Sequence, residues 1–392
     1  MNVLVLQSEL GMLRGGGENF TRNLFKAFAA RGHKVAAVFA ADRNREYAFA
    51  LPPQIEPIPI PGWWPMALGQ STLSSLGNRL PCSLKPEWDR YQQGLSWRTF
   101  KWYRRRFQER VERELPYRCA EYNAIYVHGN TPLASKAAEY RPTVLRLPGP
   151  VTAELEPMLR KVHRVCANGD ALIRIRSFLN EHATELPIGI DLQQFCPGLS
   201  ALRRSLGWKE TDFVIGYVGR LTHVKGVDLL SGAFREISRE EQGVRLLIIG
   251  NGEEARNIQS ALAEEIANRI VHIEPDVAHD RLGDWYRALD LLVMPSRYEN
   301  YSNAVLESMA CGIPFLASNV GGNKIMAETG AGWLFEPGSV NSLTLCLRKI
   351  INGRLELKLR GQAGLDYVRS HHSWAATAER LETIITSDLG VK

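Results

Sequence analysis

The chain has 392 residues, enough for about two domains of ordinary size, and 45% of them are hydrophobic and 23% charged. That composition excludes a disordered or fibrous protein, and no apolar run approaches the roughly 20 residues needed to cross a bilayer. The net charge of +6 is uneven: residues 1–195 hold 26 Lys/Arg against 18 Asp/Glu, and the remainder holds 22 against 24. A basic excess confined to one half points to an anionic partner there. A membrane surface or an anionic acceptor ranks ahead of nucleic acid, for which no motif is found.

The six cysteines, Cys82, Cys119, Cys166, Cys196, Cys311 and Cys346, form no C-x-x-C pair and lie near no histidine at metal-ligand spacing. They read as small buried apolar residues of a reducing, cytoplasmic compartment. The N-terminus enters the apolar run 3–6 without a basic n-region or a small-residue cleavage site. It is read as a first core strand, not a secretion signal.

Gly15-Gly16-Gly17 follows that strand, and residues 18–31 place Phe20, Leu24, Ala27 and Phe28 at helical spacing, with Gly32 as a stop. Residues 35–39 form the next strand, completing a βαβ unit of the kind that builds parallel sheets. Residues 50–100 lose the rhythm. They are rich in proline, carry Trp63, Trp64, Trp88 and Trp97, and read as an insertion or long irregular loop. Residues 97–115 read as a basic helix centred on Arg104-Arg105-Arg106. Two readings stand: a solvated helix resting its aromatics on the core, or a face turned to a membrane or an acidic acceptor.

Strands resume at 124–127, 143–147 and 162–167. A second rhythm starts at Phe213–Val218 and continues at 245–249, 270–273, Leu291–Met294 and 315–317, with helices between. The linker is expected near residues 189–198, bounded by Pro187 and Pro197, and the last helix near Trp374. The chain is thus α/β, with two doubly wound sheets, and ligands bind such sheets beyond the carboxyl ends of the strands.

Four loops fit that position. Gly15-Gly16-Gly17 lets backbone approach a ligand at a helix N-terminus. It lacks the G-x-G-x-x-G spacing and the later acidic residue of a dinucleotide site, and there is no P-loop. Gly219-Arg220-Leu221-Thr222-His223-Val224-Lys225-Gly226 carries two cations that can converge on a pyrophosphate. Glu299 precedes a helix starting at Ser302 or Asn303, and Glu307 lies more than one turn inside it, so the two carboxylates reach different hydroxyls of one long ligand. His128 ends the strand 124–127 and faces the ligand side.

Together these segments resemble the family 4 retaining glycosyltransferases of the GT-B fold. The family's E-x7-E element matches Glu299 to Glu307 and continues through Ser308-Met309-Ala310-Cys311-Gly312-Ile313-Pro314. Its G-R-L-x-x-x-K-G element matches Gly219 to Gly226, and its linker resembles Pro187-Ile188-Gly189-Ile190-Asp191 with Phe195 and Pro197. The resemblance covers nearly the whole chain and is looser across 50–125.

It implies two Rossmann-like domains facing across a cleft. These are an acceptor-side domain at 1–190, with an irregular basic insertion at 50–120, a nucleotide-sugar domain at 191–372, and a helix at 373–392 crossing back to the first. It implies that Arg220 and Lys225 hold the donor diphosphate, with Gly219 in the same loop. Glu307 would bind the ribose, and Glu299 the transferred sugar near C3. Tyr301, Ser302 and Asn303 would meet phosphate and sugar, and Gly16 and Gly17 would close over the diphosphate. His128 would touch the sugar at its 6-position. The loops at Gly250-Asn251-Gly252 and Asp276-Val277 would frame the base.

No metal or other cofactor is implied, since members of that family generally need none and the chain has no D-x-D-like element; in front-side attack the departing phosphate takes the acceptor's proton, so no protein base is implied either. The expected reaction moves a hexose or N-acetylhexosamine from a nucleotide-diphosphate sugar, UDP ahead of GDP, to a hydroxyl of a glycan, glycolipid, lipid-linked or small-molecule acceptor. The expected place is the cytoplasm, peripheral at the inner membrane face. Two other readings share the fold: a sugar-nucleotide epimerase and an inactive binding subunit. Tyr301-Ser302 stands where the family often has Phe-Gly, Pro275-Asp276-Val277 where a glycine is common, and Lys324 where an acidic residue is frequent.

Overall fold

The structure, a computed structural model, describes residues 1–11, 16–41, 50–61, 85–149 and 151–391, with backbone alone for 85–100. The chain forms two compact units. One comprises Met1–Ala167, Arg174–Leu186 and Ala378–Lys392, the other Asn168–Ile173 and Pro187–Thr377.

The first unit is built on seven parallel strands: β1 (Asn2–Leu6), β2 (Lys34–Ala41), β3 (Ile55–Pro61), β4 (Ala124–His128), β5 (Thr143–Arg146), β6 (Arg164–Ala167) and β7 (Ala183–Glu185). Their order is β3-β2-β1-β4-β5-β6-β7, so the winding reverses between β1 and β4. Val3, Leu4, Val5 and Leu6 of β1 and Ile125, Tyr126 and Val127 of β4 are fully buried, as strands covered on both faces require. Helix α1 (Gly16–Ala30) follows β1 and buries Phe20, Leu24, Phe25 and Phe28.

The second unit repeats the plan with β8 (Phe213–Val218), helix α3 (Val227–Glu240), β9 (Val244–Ile249), β10 (Val271–Glu274), β11 (Leu291–Met294), β12 (Phe315–Ser318) and β13 (Gly332–Phe335). The order β10-β9-β8-β11-β12-β13 reverses between β8 and β11. That reversal opens a crevice at the carboxyl ends of those two strands, where loops from both sides can meet a ligand.

The stretch expected to be irregular is in part regular. Residues 55–61 form β3, and helix α2 (Lys85–Arg118) starts twelve residues before the expected 97. β3 escaped a pattern reading because it alternates Pro57, Pro59 and Pro61. A proline cannot donate to a ladder, but among the described residues β3 lies at the sheet's edge and pairs only with β2, so the missing donors are tolerated there. The short strands β7 and β13 were not anticipated either. Trp63 and Trp64 lie outside the described residues, and Trp88 and Trp97 lie on α2 where only backbone is described.

Along α2, Tyr103, Phe107, Val111 and Leu115 are all buried, a stripe at i, i+4 spacing that rests on the core. The arginine triplet divides its work. The Arg104 guanidinium lies 3.1 Å from the largely buried Glu9 carboxylate and donates to the Gly129 carbonyl at 2.9 Å. Arg105 pairs with Glu109 one turn on, in solvent. Arg106 covers the ring of Trp102, which is 45% exposed. Removing Arg104 strands a buried carboxylate, whereas removing Arg105 breaks only an exposed pair. Arg104→Ala should therefore destabilise the protein by about 1–3 kcal/mol and lower its thermal midpoint by several degrees, with Arg105→Ala within about 0.5 kcal/mol of wild type. Equal melting curves for the two variants would contradict the assignment.

Candidate functional site

At the carboxyl ends of the second sheet, the loops touch backbone to backbone. Gly219 donates its N–H to the Ile249 carbonyl at 2.9 Å, Leu221 donates to Asn251 at 2.9 Å, and Glu254 donates to Leu221 at 2.9 Å. Gly250 adopts φ +140°, and a Cβ added there would stand 1.9 Å from the Gly219 carbonyl oxygen. Only glycine allows that approach. At Gly252 an added Cβ would meet the Leu221 carbonyl at 2.3 Å, and at Gly226 it would meet the Pro295 carbonyl at 2.0 Å. The loops after β8, β9 and β11 are thereby one continuous surface with little room to move.

Lys225 and Glu299 join that surface by an ion pair. Lys225 Nζ donates to Glu299 Oε2 at 2.7 Å, and Ser296 Oγ donates to the same oxygen at 3.3 Å. Both partners are mostly covered, with side chains 21% and 9% exposed. Arg220 is exposed, and its guanidinium forms no ion pair among the described residues, so it is a cation available to an anion. The Tyr217 hydroxyl holds the Arg220 carbonyl at 2.8 Å.

Helix α4 (Asn303–Ala310) begins where the sequence places it. Ser302 is the N-cap, its hydroxyl accepting from the Val305 N–H at 3.4 Å, and it is 4% exposed. Tyr301 is buried beside Gly322, and Asn303 is exposed at the first turn. Glu307 lies inside the helix, 8% exposed, with Oε2 accepting from the Tyr286 hydroxyl at 2.8 Å and Oε1 3.5 Å from His279 Nε2. Burial and the Glu307 charge push the Tyr286 phenol far above its ordinary range, so it stays a donor to the carboxylate. Val277 is half-buried in the exposed loop after β10.

The first unit places His128 at the end of β4, beside the start of α1. The ring is 6% exposed. Its Nδ1 lies 3.2 Å from Thr21 Oγ1 and 3.3 Å from the Tyr126 hydroxyl, while Nε2 has no hydrogen-bond partner among the described residues. A Cβ at Gly17 would stand 2.9 Å from Nε2, so that glycine admits the ring. Gly16 opens α1 and is exposed, and Gly15 lies outside the described residues. Beside His128, Arg146 at the end of β5 is 4% exposed. Its guanidinium stacks 3.8 Å over Phe20 and donates to the Leu186 carbonyl at 2.8 Å. Burial, then the Arg146 and Arg104 charges, lower the His128 pKa to about 3.

Sequence reasoning missed Tyr286, His279, Ser296 and Arg146. Tyr286 and His279 reach Glu307 from a separate stretch of chain, Ser296 lies three residues before Glu299, and none of the three carries a motif. Arg146 offered one signal, a charge at the carboxyl end of the apolar run Val144-Leu145. Among the described residues, no group of three or more His, Cys, Asp or Glu side chains is placed to hold a metal ion. Cys119, Cys166 and Cys311 are buried free thiols and Cys196 and Cys346 are half-buried, while Cys82 lies outside the described residues.

Residues 200–364 match the family described as glycosyl transferases group 1. A D-inositol 3-phosphate glycosyltransferase from Segniliparus rotundus is 31% identical over 202 residues, covering 50% of this chain and 45% of that protein. A GDP-mannose-dependent monoacylated alpha-(1-6)-phosphatidylinositol monomannoside mannosyltransferase from Corynebacterium glutamicum is 28% identical over 230 residues, covering 55% of this chain and 60% of that protein. The chain spans about half the length of the curated relatives it matches. Among solved structures, sucrose-phosphate synthase from Thermosynechococcus elongatus has a TM-score of 0.71 at 19% identity, covering 100% of both chains. HepE from Anabaena in complex with UDP has a TM-score of 0.71 at 18% identity, covering 99% of this chain and 100% of its own. The fold is GT-B, two Rossmann-like domains, with the group 1 sequence pattern in the second.

The lowered pKa of His128 has a consequence for stability. The folded ring refuses a proton that the unfolded chain takes up near pH 6.5, so stability falls as pH drops from there toward about 3. The slope from this one group approaches about 1.4 kcal/mol per pH unit. His128→Gln should flatten the stability profile between about pH 6 and pH 4, and the wild-type ring should not titrate by NMR above about pH 5. A titration near 6.5 would contradict the buried, neutral ring.

Proposed function

We propose that the chain is a retaining glycosyltransferase that moves a hexose or N-acetylhexosamine from a nucleotide-diphosphate sugar to an acceptor hydroxyl. The observation that carries this reading is the Lys225–Glu299 ion pair set in the glycine-stitched loops, with Arg220, which has no ion pair among the described residues, in the same loop as Lys225 and with Glu307 more than one turn inside the helix that Glu299 precedes. A cation pair, a sugar-side carboxylate and a ribose-side carboxylate are what such a donor requires.

Arg220 and Lys225 hold the diphosphate and stabilise the charge that develops on it as the glycosidic bond breaks. Gly219, Gly250 and Gly252 let backbone approach the nucleotide, and Val277 borders the base. Tyr301, Ser302 and Asn303 present the start of α4 to phosphate and sugar. Glu299 accepts from sugar hydroxyls and Glu307 from the ribose. In the first unit, Gly16 and Gly17 serve the diphosphate, and His128, held neutral, hydrogen-bonds the sugar. The acceptor oxygen forms its bond on the face that the phosphate leaves, and the leaving phosphate takes the acceptor proton. No protein base and no metal is needed.

The nucleotide is proposed as UDP ahead of GDP, although the Corynebacterium relative is named for GDP-mannose. The acceptor is proposed as a glycan, lipid-linked or small-molecule hydroxyl. Peripheral contact with an anionic membrane is proposed from the basic excess of the first half and the exposed Trp102 on α2, together with a cytoplasmic location. No helix among the described residues is long and apolar enough to cross a membrane.

The test is a thermal-shift and hydrolysis screen with UDP-, GDP- and ADP-sugars. One donor class should stabilise the protein, and Lys225→Ala and Arg220→Ala should each lower turnover by about 10²–10³-fold. Failure of every donor to stabilise the chain, or full turnover by Lys225→Ala, would overturn the reading.

A further inference from the structure

The Glu307 carboxylate has its two oxygens held by different groups. Oε2 is fixed by the buried Tyr286 hydroxyl at 2.8 Å, while Oε1 meets only the imidazole of His279, at 3.5 Å among the described residues. The Glu307 side chain is 11% exposed and that of His279 is 52% exposed, so the histidine covers the open edge of an otherwise enclosed carboxylate. The rest of its surroundings aims it there. Phe195 sets its ring edgewise against both His279, at 5.6 Å, and Tyr286, at 5.8 Å. The Gln194 carboxamide donates to the His279 carbonyl and lies 3.4 Å from its Nδ1.

We propose that His279 competes with the donor's ribose hydroxyls for Oε1 of Glu307, so that protonating this histidine weakens nucleoside diphosphate binding. The inference rests on the reading of Glu307 as the ribose carboxylate and adds a residue that reading does not contain. A ribose diol needs a free carboxylate edge to donate into, and Tyr286 already occupies the other oxygen. An imidazolium at Oε1 is a charge-assisted competitor, stronger than a neutral hydroxyl.

The charged groups facing His279 are the Glu307 carboxylate from α4, Asp280 beside it in its own turn and Asp191 from the linker; Gln194 and Phe195 are neutral. Glu307 first, then Asp280 and Asp191, raise its pKa above the ordinary 6.5 against the opposing effect of burial. Without donor, His279 therefore keeps its proton at a pH where a free imidazole would have lost it. Donor binding at Oε1 removes that support and releases the proton. Affinity should fall as pH drops through the raised pKa, and be restored above it.

The experiment is calorimetric titration of the full chain with UDP, GDP and ADP at about pH 8 and about pH 5.5, for wild type and His279→Gln. The terminal phosphate of the nucleotide titrates in the same range, and the variant carries that common effect. For the diphosphate that binds, wild type should lose about five- to tenfold more affinity on acidification than His279→Gln. The 2′,3′-dideoxy form of the same diphosphate should show no difference between the two proteins. Equal losses in both proteins, or a difference that persists with the dideoxy form, overturn the competition and leave the glycosyltransferase reading standing. Absence of binding by all three diphosphates at about pH 8 removes that reading, and this inference with it.

Discussion

The ion pair between Lys225 and Glu299 is the contact on which the second unit's site depends. It joins the loop after β8 to the loop after β11, across the point where the strand order reverses. A lysine and a glutamate this deeply covered would each be costly alone, and they are retained because each solvates the other. The pair also fixes direction. Glu299 is held before the first turn of α4 and Glu307 beyond it, so the helix N-terminus lies between two carboxylates that cannot share a proton. The close backbone contacts at Gly250, Gly252 and Gly226 limit how far any of these loops can shift. The geometry of these loops is therefore set by the fold.

The first unit solves a different problem. Three polar groups, His128, Arg146 and Arg104, are gathered at the ends of β4, β5 and the flank of α2. The cost of bringing two cations near a buried imidazole is met by keeping that imidazole neutral. Arg104 and Arg146 are also tied to carbonyls and, for Arg146, to the face of Phe20. The basic excess of this half is thus not all surface charge. Part of it is structural, and the arginine triplet that reads as one basic patch in sequence is split among a buried pair, a solvent pair and an aromatic stack.

Much of this was legible in the sequence because buried parallel strands are continuous apolar runs, as at Val3–Leu6, Phe213–Val218 and Leu291–Met294. The start of α4 was legible too: Ser302 is a local cap, and Gly312 with Pro314 is a local stop. β3 was hidden because its prolines contradict strand propensity, and only its place at the edge, a tertiary fact, makes them harmless. Tyr286 and His279 were hidden because they reach Glu307 from a segment with no spacing relation to it. Arg146 was hidden because an arginine after a strand reads as a surface charge until the packing of Phe20 over it is known.

In the proposed function the loops ending β8, β9, β10 and β11 hold a nucleoside diphosphate. Hydrogen exchange on the full chain, with and without the diphosphate that stabilises it, tests this most directly. Backbone amides in residues 219–226, 250–254, 276–279 and 299–307 should gain protection, with smaller changes elsewhere in the second unit. A diphosphate that binds while those four segments exchange at unchanged rates would mean that its site lies elsewhere on the chain.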